Sequence, residues 1–154
     1  MTMGKEITVK KISDIYNIVS SAKFTKMSDQ NKITAWKMIK EIKTIAAPFN
    51  EDIEDIKRMF MPYEGFENDL MTGIRYEEAK KNNNDFSEIT DEEYAEILEK
   101  YKSYQTSVDK AIEDISDRKV TLKNNPLNKE VFEELVCSND WAFDDIEKIE
   151  EVMC

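Results

Sequence analysis

Apolar residues recur along this chain with a helical period over most of its length. Ile12, Ile15, Tyr16 and Val19 fall at i, i+3, i+4 and i+7, the stripe of a short amphipathic helix. A longer series follows Ser28-Asp29, whose side chains can accept from the free N–H groups of a first helical turn. Its members are Trp36, Ile39, Ile42, Ala46, Phe49, Ile53, Ile56 and Phe60, and from Ile39 onward they form a heptad seam. The spacing predicts a helix over about residues 29 to 61 with one narrow stripe facing a partner helix. Pro48 lies inside it, which predicts a kink near residues 44 to 48 or a break there into two helices.

Pro62 and Gly65 end this element, and residues 62–89 read as a long irregular insertion in which Leu70, Met71, Ile74, Tyr76 and Ala79 could support a short helix. Thr90-Asp91-Glu92-Glu93 is a capping box that starts the next helix. Its stripe, Tyr94, Ile97, Tyr101, Tyr104, Val108, Ala111 and Ile115, is a second heptad seam of similar length. Paired, the two seams predict an antiparallel hairpin about 40 to 50 Å long at the helical rise of 1.5 Å per residue.

The flanking segments differ in period. Lys5 to Val9 alternates polar with β-branched residues, and Val120-Thr121-Leu122 can pair with Ile7 to Val9 to close the hairpin's base. A two-stranded sheet is marginal alone and needs a cover. Asn128 as N-cap of a helix from Lys129 to Val136, and a last helix carrying Trp141, Ala142, Ile146 and Ile149, supply one. The expected fold is therefore mainly α, one helical domain over residues 1–154. It comprises an elongated antiparallel two-helix hairpin, a brace helix, a small two-stranded sheet and an acidic C-terminal helical cap over residues 126–154.

Composition agrees with that class and narrows the chemistry. Three Gly and three Pro in 154 residues are too few for turn-dense β or linker-rich architectures. The net charge of −11 is unevenly spread: residues 1–48 hold nine Lys against four acids (+5), and residues 49–154 hold 13 basic against 29 acidic residues (−16). Such polarity favours head-to-tail contact between copies or with partners of opposite charge. The chain has no His, which removes Ser-His-Asp, Cys-His and His-zinc schemes. Cys137 and Cys154 are too few for a disulfide framework and fit a reducing compartment. No apolar signal core or membrane-length stretch is expected to target or anchor the chain.

Candidate sites are sparse. Neither a phosphate-binding P-loop nor a dinucleotide glycine motif is present. Asn82, Asn84, Asp85 and Glu88 offer oxygen ligands without the glycine and spacing of an EF-hand, and the acidic pairs Asp144-Asp145 and Glu133-Glu134 read as solvated faces. Direct nucleic-acid binding is disfavoured by the acidic balance, apart from the Lys-rich face of Lys32, Lys37, Lys40 and Lys43. With Trp141 and Phe143 of the acidic tail, these lysines are the candidate protein-interaction residues. No catalytic, cofactor or metal residue is assigned.

The opening Ile7-Thr8-Val9-Lys10-Lys11-Ile12, the brace helix, the long hairpin, and a closing strand followed by Pro126-Leu127-Asn128 and an acidic tail resemble a family of small helical-hairpin proteins of tailed bacteriophages. The insertion at 62–89 and the tail from Trp141 to Met153 depart from that family's layout. The resemblance implies no site residues. It implies a context: virion structure, head completion, packaged cargo or host takeover. The expected function is a non-enzymatic phage structural or interaction protein, located in the virion or host cytoplasm. It would assemble through helical surfaces with copies of itself or other phage proteins, without a small-molecule substrate or membrane. The rival is an acidic, DNA-mimicking inhibitor or regulator of a host nucleic-acid enzyme.

Overall fold

Residues 5–154 are described by the structure, a computed structural model. In chain order it runs β1 (Glu6–Thr8), α1 (Val9–Val19), α2 (Asp29–Met59), α3 (Phe66–Lys81), α4 (Asp91–Ser116), β2 (Lys119–Thr121), α5 (Lys129–Cys137) and α6 (Phe143–Met153). The fold is mainly α, six helices with one small antiparallel sheet among the described residues.

Local signals place most boundaries. Thr8 caps α1, its hydroxyl accepting from the Lys11 N–H at 3.4 Å, so the strand ends at Thr8 and Val9 already belongs to the helix. In the sheet Glu6 faces Thr121, Ile7 faces Val120 and Thr8 faces Lys119. The Val9 N–H still bonds the Arg118 carbonyl at 2.8 Å. Both halves of the capping box form: Glu93 N–H donates to the Thr90 hydroxyl at 3.1 Å, and Thr90 N–H donates to the Glu93 carboxylate at 3.2 Å. Asn128 caps α5 through the Val131 N–H at 2.9 Å. Gly65 precedes α3 with φ +88°, a left-handed conformation that L side chains rarely adopt.

The break allowed for at Pro48 and the irregular insertion at 62–89 are corrected. Helix α2 continues through Pro48 instead of breaking, with Pro48 exposed, where water can serve the carbonyl that its missing N–H leaves free. The segment read as an irregular insertion is largely helix, since α3 takes 16 of its residues.

The chain divides into two compact units, where the sequence suggested one domain: residues 5–53 with 114–154, and Glu54–Glu113. The first unit is built on a buried cluster including Ile12, Ile15, Met38, Ile42, Leu122, Leu135 and Ile149, drawn from α1, α2, the stretch after β2, α5 and α6. The buried face of α2 is Ala35, Met38, Ile42, Ala46 and Phe49, so the seam begins at Ala35 rather than at Trp36, which is 50% exposed. That face meets a core of several elements, a broader partner than the single helix expected.

Side-chain staples hold the first unit's loops. The Asn139 amide imitates a strand partner: its Oδ1 accepts from Lys23 N–H at 2.7 Å and its Nδ2 donates to the Lys23 carbonyl at 2.9 Å. Ser138 Oγ accepts from Lys26 N–H at 2.9 Å, and Glu134 accepts from Ser28 N–H at 2.8 Å and from the Asn31 amide. Ion pairing of Lys11 with Glu151 ties α1 to α6.

The second unit is held by aromatic residues. Phe66 is fully buried, with edge contacts to Tyr63 and Tyr104 at centroid distances of 5.3 and 6.1 Å. Tyr76 stacks on Tyr94 at 4.3 Å and meets Phe86 edge-on at 5.9 Å. The stripe of α4 is thus packed here against α3, an element the pairing of two seams left out.

Candidate functional site

Two surfaces stand out, one on each unit. In the first, Lys32, Trp36, Lys40 and Lys43 follow one another on α2 at steps of four, four and three residues, and so share a face. That face lies away from the buried residues Ala35, Met38 and Ile42. Lys40 Nζ sits 4.9 Å from the centre of the Trp36 ring, a cation–π contact that keeps the indole on the surface. Beside this face an open groove of about 580 Å³ runs between α2 and β2, bordered by Trp36, Lys37, Lys40 and Lys123 over Ile45 and Val120.

Glu41 builds the groove. Its carboxylate accepts from the backbone N–H groups of Lys123 (2.5 Å) and Asn124 (3.0 Å) and from the Asn124 amide (2.8 Å). The Lys37 carbonyl receives a longer bond from the same amide at 3.4 Å. One carboxylate thereby fixes the chain after β2 to α2. No ion pair among the described residues engages Lys37, Lys40, Lys43 or Lys123, whereas Lys32 lies 3.8 Å from Asp29.

The predicted interaction residues are therefore only partly brought together. Lys37 and Lys40 border the groove, while Lys32 and Lys43 continue its basic face. Trp141 is half-buried against the first unit's core and lines a separate cleft with Lys26 and Asn139, so its ring serves packing. Phe143, two residues on, is 73% exposed. Sequence reasoning missed Glu41, because its partners lie about 80 residues away and no local pattern marks them. The Cys154 thiol is half-buried, and burial, with Glu150 nearby, pushes it up to about 11.

The second surface is apolar. An open groove of about 380 Å³ between α3 and α4 is lined by Leu70, Gly73 and Ile74 on one side and Ile97, Leu98 and Tyr101 on the other. A methyl group added at Gly73 would meet Ile97 and Tyr94 only at 3.6 to 3.8 Å, ordinary contact distance. Ile74 and Met71 are both more than half exposed, and Met59, Phe60, Tyr63 and Tyr101 add further exposed apolar area to this unit. At the groove's edge the Tyr94 hydroxyl donates to Glu77, which with burial raises the phenol to about 12. Similarly, Tyr63 donates to Asp69 and is raised to about 12. These phenols are un-ionised hydrogen-bond donors at neutral pH.

No helix among the described residues is long and apolar enough to cross a membrane. Comparison with protein-family models, curated proteins and solved structures finds no match.

Proposed function

We propose that this chain is a non-enzymatic interaction protein, a bacteriophage structural component that assembles through helical surfaces with copies of itself or with other phage proteins. The observation that supports it is the apolar groove between α3 and α4. Exposed Ile74 and Met71 beside an open apolar groove are costly to hydrate, and burial against another protein removes that cost. The phage context rests on the likeness of the opening and closing segments described above.

Mass spectrometry of purified particles tests the context, and light scattering of wild type and Ile74→Glu with candidate particle proteins tests the surface. Stable incorporation into virions, lost with Ile74→Glu in a chain that keeps its helicity, is the expected result. Consistent absence from virions, together with a strict monomer that binds no particle protein, overturns the proposal. Salt-sensitive capture of a basic host nucleic-acid enzyme would replace it with the acidic-inhibitor reading.

A further inference from the structure

The groove between α2 and β2 has a positive rim and an apolar floor. Lys37, Lys40 and Lys123 supply the charge, Trp36, Ile45 and Val120 the apolar surface. The one carboxylate lining it, Glu41, is turned to the Lys123 and Asn124 N–H groups and the Asn124 amide, and three lysines against one acid leave the lining net positive. A complementary occupant is an exposed hydrophobic side chain followed at once by carboxylates.

The chain itself carries such a segment. Phe143 is the most exposed large hydrophobic residue among those described, and it begins α6 immediately before Asp144 and Asp145, with Glu147 one turn on. No ion pair among the described residues engages these three acids. Asp144 and Asp145 lie in the first turn of α6, where the helix dipole favours negative charge.

We propose that the groove between α2 and β2 receives Phe143 of a second copy, with Asp144 and Asp145 of that copy facing Lys37 and Lys40. The inference names one partner for the interaction protein proposed above and rests on that reading, but it uses a different surface. A contact between two unlike patches either closes when it is reciprocal or propagates head to tail, and the mass of the assembly distinguishes these.

Sedimentation equilibrium of the full chain from micromolar to millimolar concentration tests it. Wild type should self-associate, more weakly at high salt as screening shortens the reach of the charges. Phe143→Ser, the pair Lys37→Glu with Lys40→Glu, and the pair Asp144→Lys with Asp145→Lys should each weaken association by about tenfold or more. Mixing the two charge-reversed proteins should restore it, since each then offers the other a matched groove and knob. Circular dichroism confirms that the variants fold.

A wild-type monomer at millimolar concentration overturns the inference, as does association that these variants leave intact. If association is lost only with Ile74→Glu, this inference fails while the α3–α4 reading stands. Binding of a single-stranded oligothymidylate by a monomer, abolished by Lys37→Glu with Lys40→Glu and unaffected by Phe143→Ser, would assign the groove to nucleic acid instead.

Discussion

Glu41→Ala removes the carboxylate on which the chain after β2 is hung. Three donors lose their acceptor: the Lys123 and Asn124 backbone N–H groups and the Asn124 amide. Hydrogen bonds to a charged group are worth about 1.5 to 3 kcal/mol each when buried. Glu41 and Asn124 are half-buried and Lys123 is exposed, so water re-satisfies much of what is lost. A total of about 2 kcal/mol follows, below the sum of three independent bonds because they share one side chain. With a urea m-value of about 2 kcal/mol/M, the midpoint should fall by about 1 M.

Glu41→Gln is the sharper comparison. It keeps the size of the side chain but exchanges one acceptor oxygen for an NH2 that faces donors, and it removes the charge. It should therefore lose stability, but less than Ala, because its remaining oxygen can still accept both Asn124 bonds while the Lys123 N–H loses its acceptor, as read by equilibrium urea unfolding followed by circular dichroism. A midpoint shift below about 0.25 M for Ala, or a Gln variant as stable as wild type, would refute the reasoning that this carboxylate is a structural acceptor.

Phe66→Ala should cost about 3 to 5 kcal/mol, the range for a fully buried aromatic, with amide protection lost first in α3 and the adjoining part of α4 by hydrogen exchange. Gly65→Ala should cost about 1 kcal/mol in thermal unfolding, all of it conformational, because nothing lies within 4 Å of the added methyl while φ is +88°. Asn139→Ala should cost about 1 to 2 kcal/mol and speed limited proteolysis around Lys23, which loses both of its backbone partners. In alkaline titration followed by tyrosinate absorbance, Tyr63 and Tyr94 should ionise only near pH 12 in the folded chain, against about 10 when unfolded. Their folded pKa is raised, so the stabilisation is fully present below pH 10 and is lost as pH rises toward 12; ordinary titration of all tyrosines in the folded chain would contradict this.

What the sequence determined by itself was everything written within a few residues. The capping box at Thr90, the Asn128 cap, the short strands and the two long helices are local patterns, because an i to i+3 hydrogen bond or a heptad repeat needs no distant partner. Of the four lysines read as one basic face, Lys32, Lys40 and Lys43 share a side of α2 by their spacing, while Lys37 lies further round the helix at the groove's border. Helix α3 was half legible: its apolar positions were noticed, but Gly73 and exposed Met71 and Ile74 blur the single stripe that would have marked it.

Only the tertiary structure decided which apolar residues turned inward. Helix α2 offers both Ala35 with Met38 and Trp36 with Ile39 as the start of a seam, and the several-sided core of the first unit selects the former. It also decided that Asn139 and Glu41 act as staples, and that Phe143 is left out while Trp141 is drawn in. These outcomes depend on segments far apart in the chain meeting in space, and on the close packing that gives each buried position one neighbour set. A local pattern fixes the period of an element; the rotation that brings one face to the core is set by what it packs against.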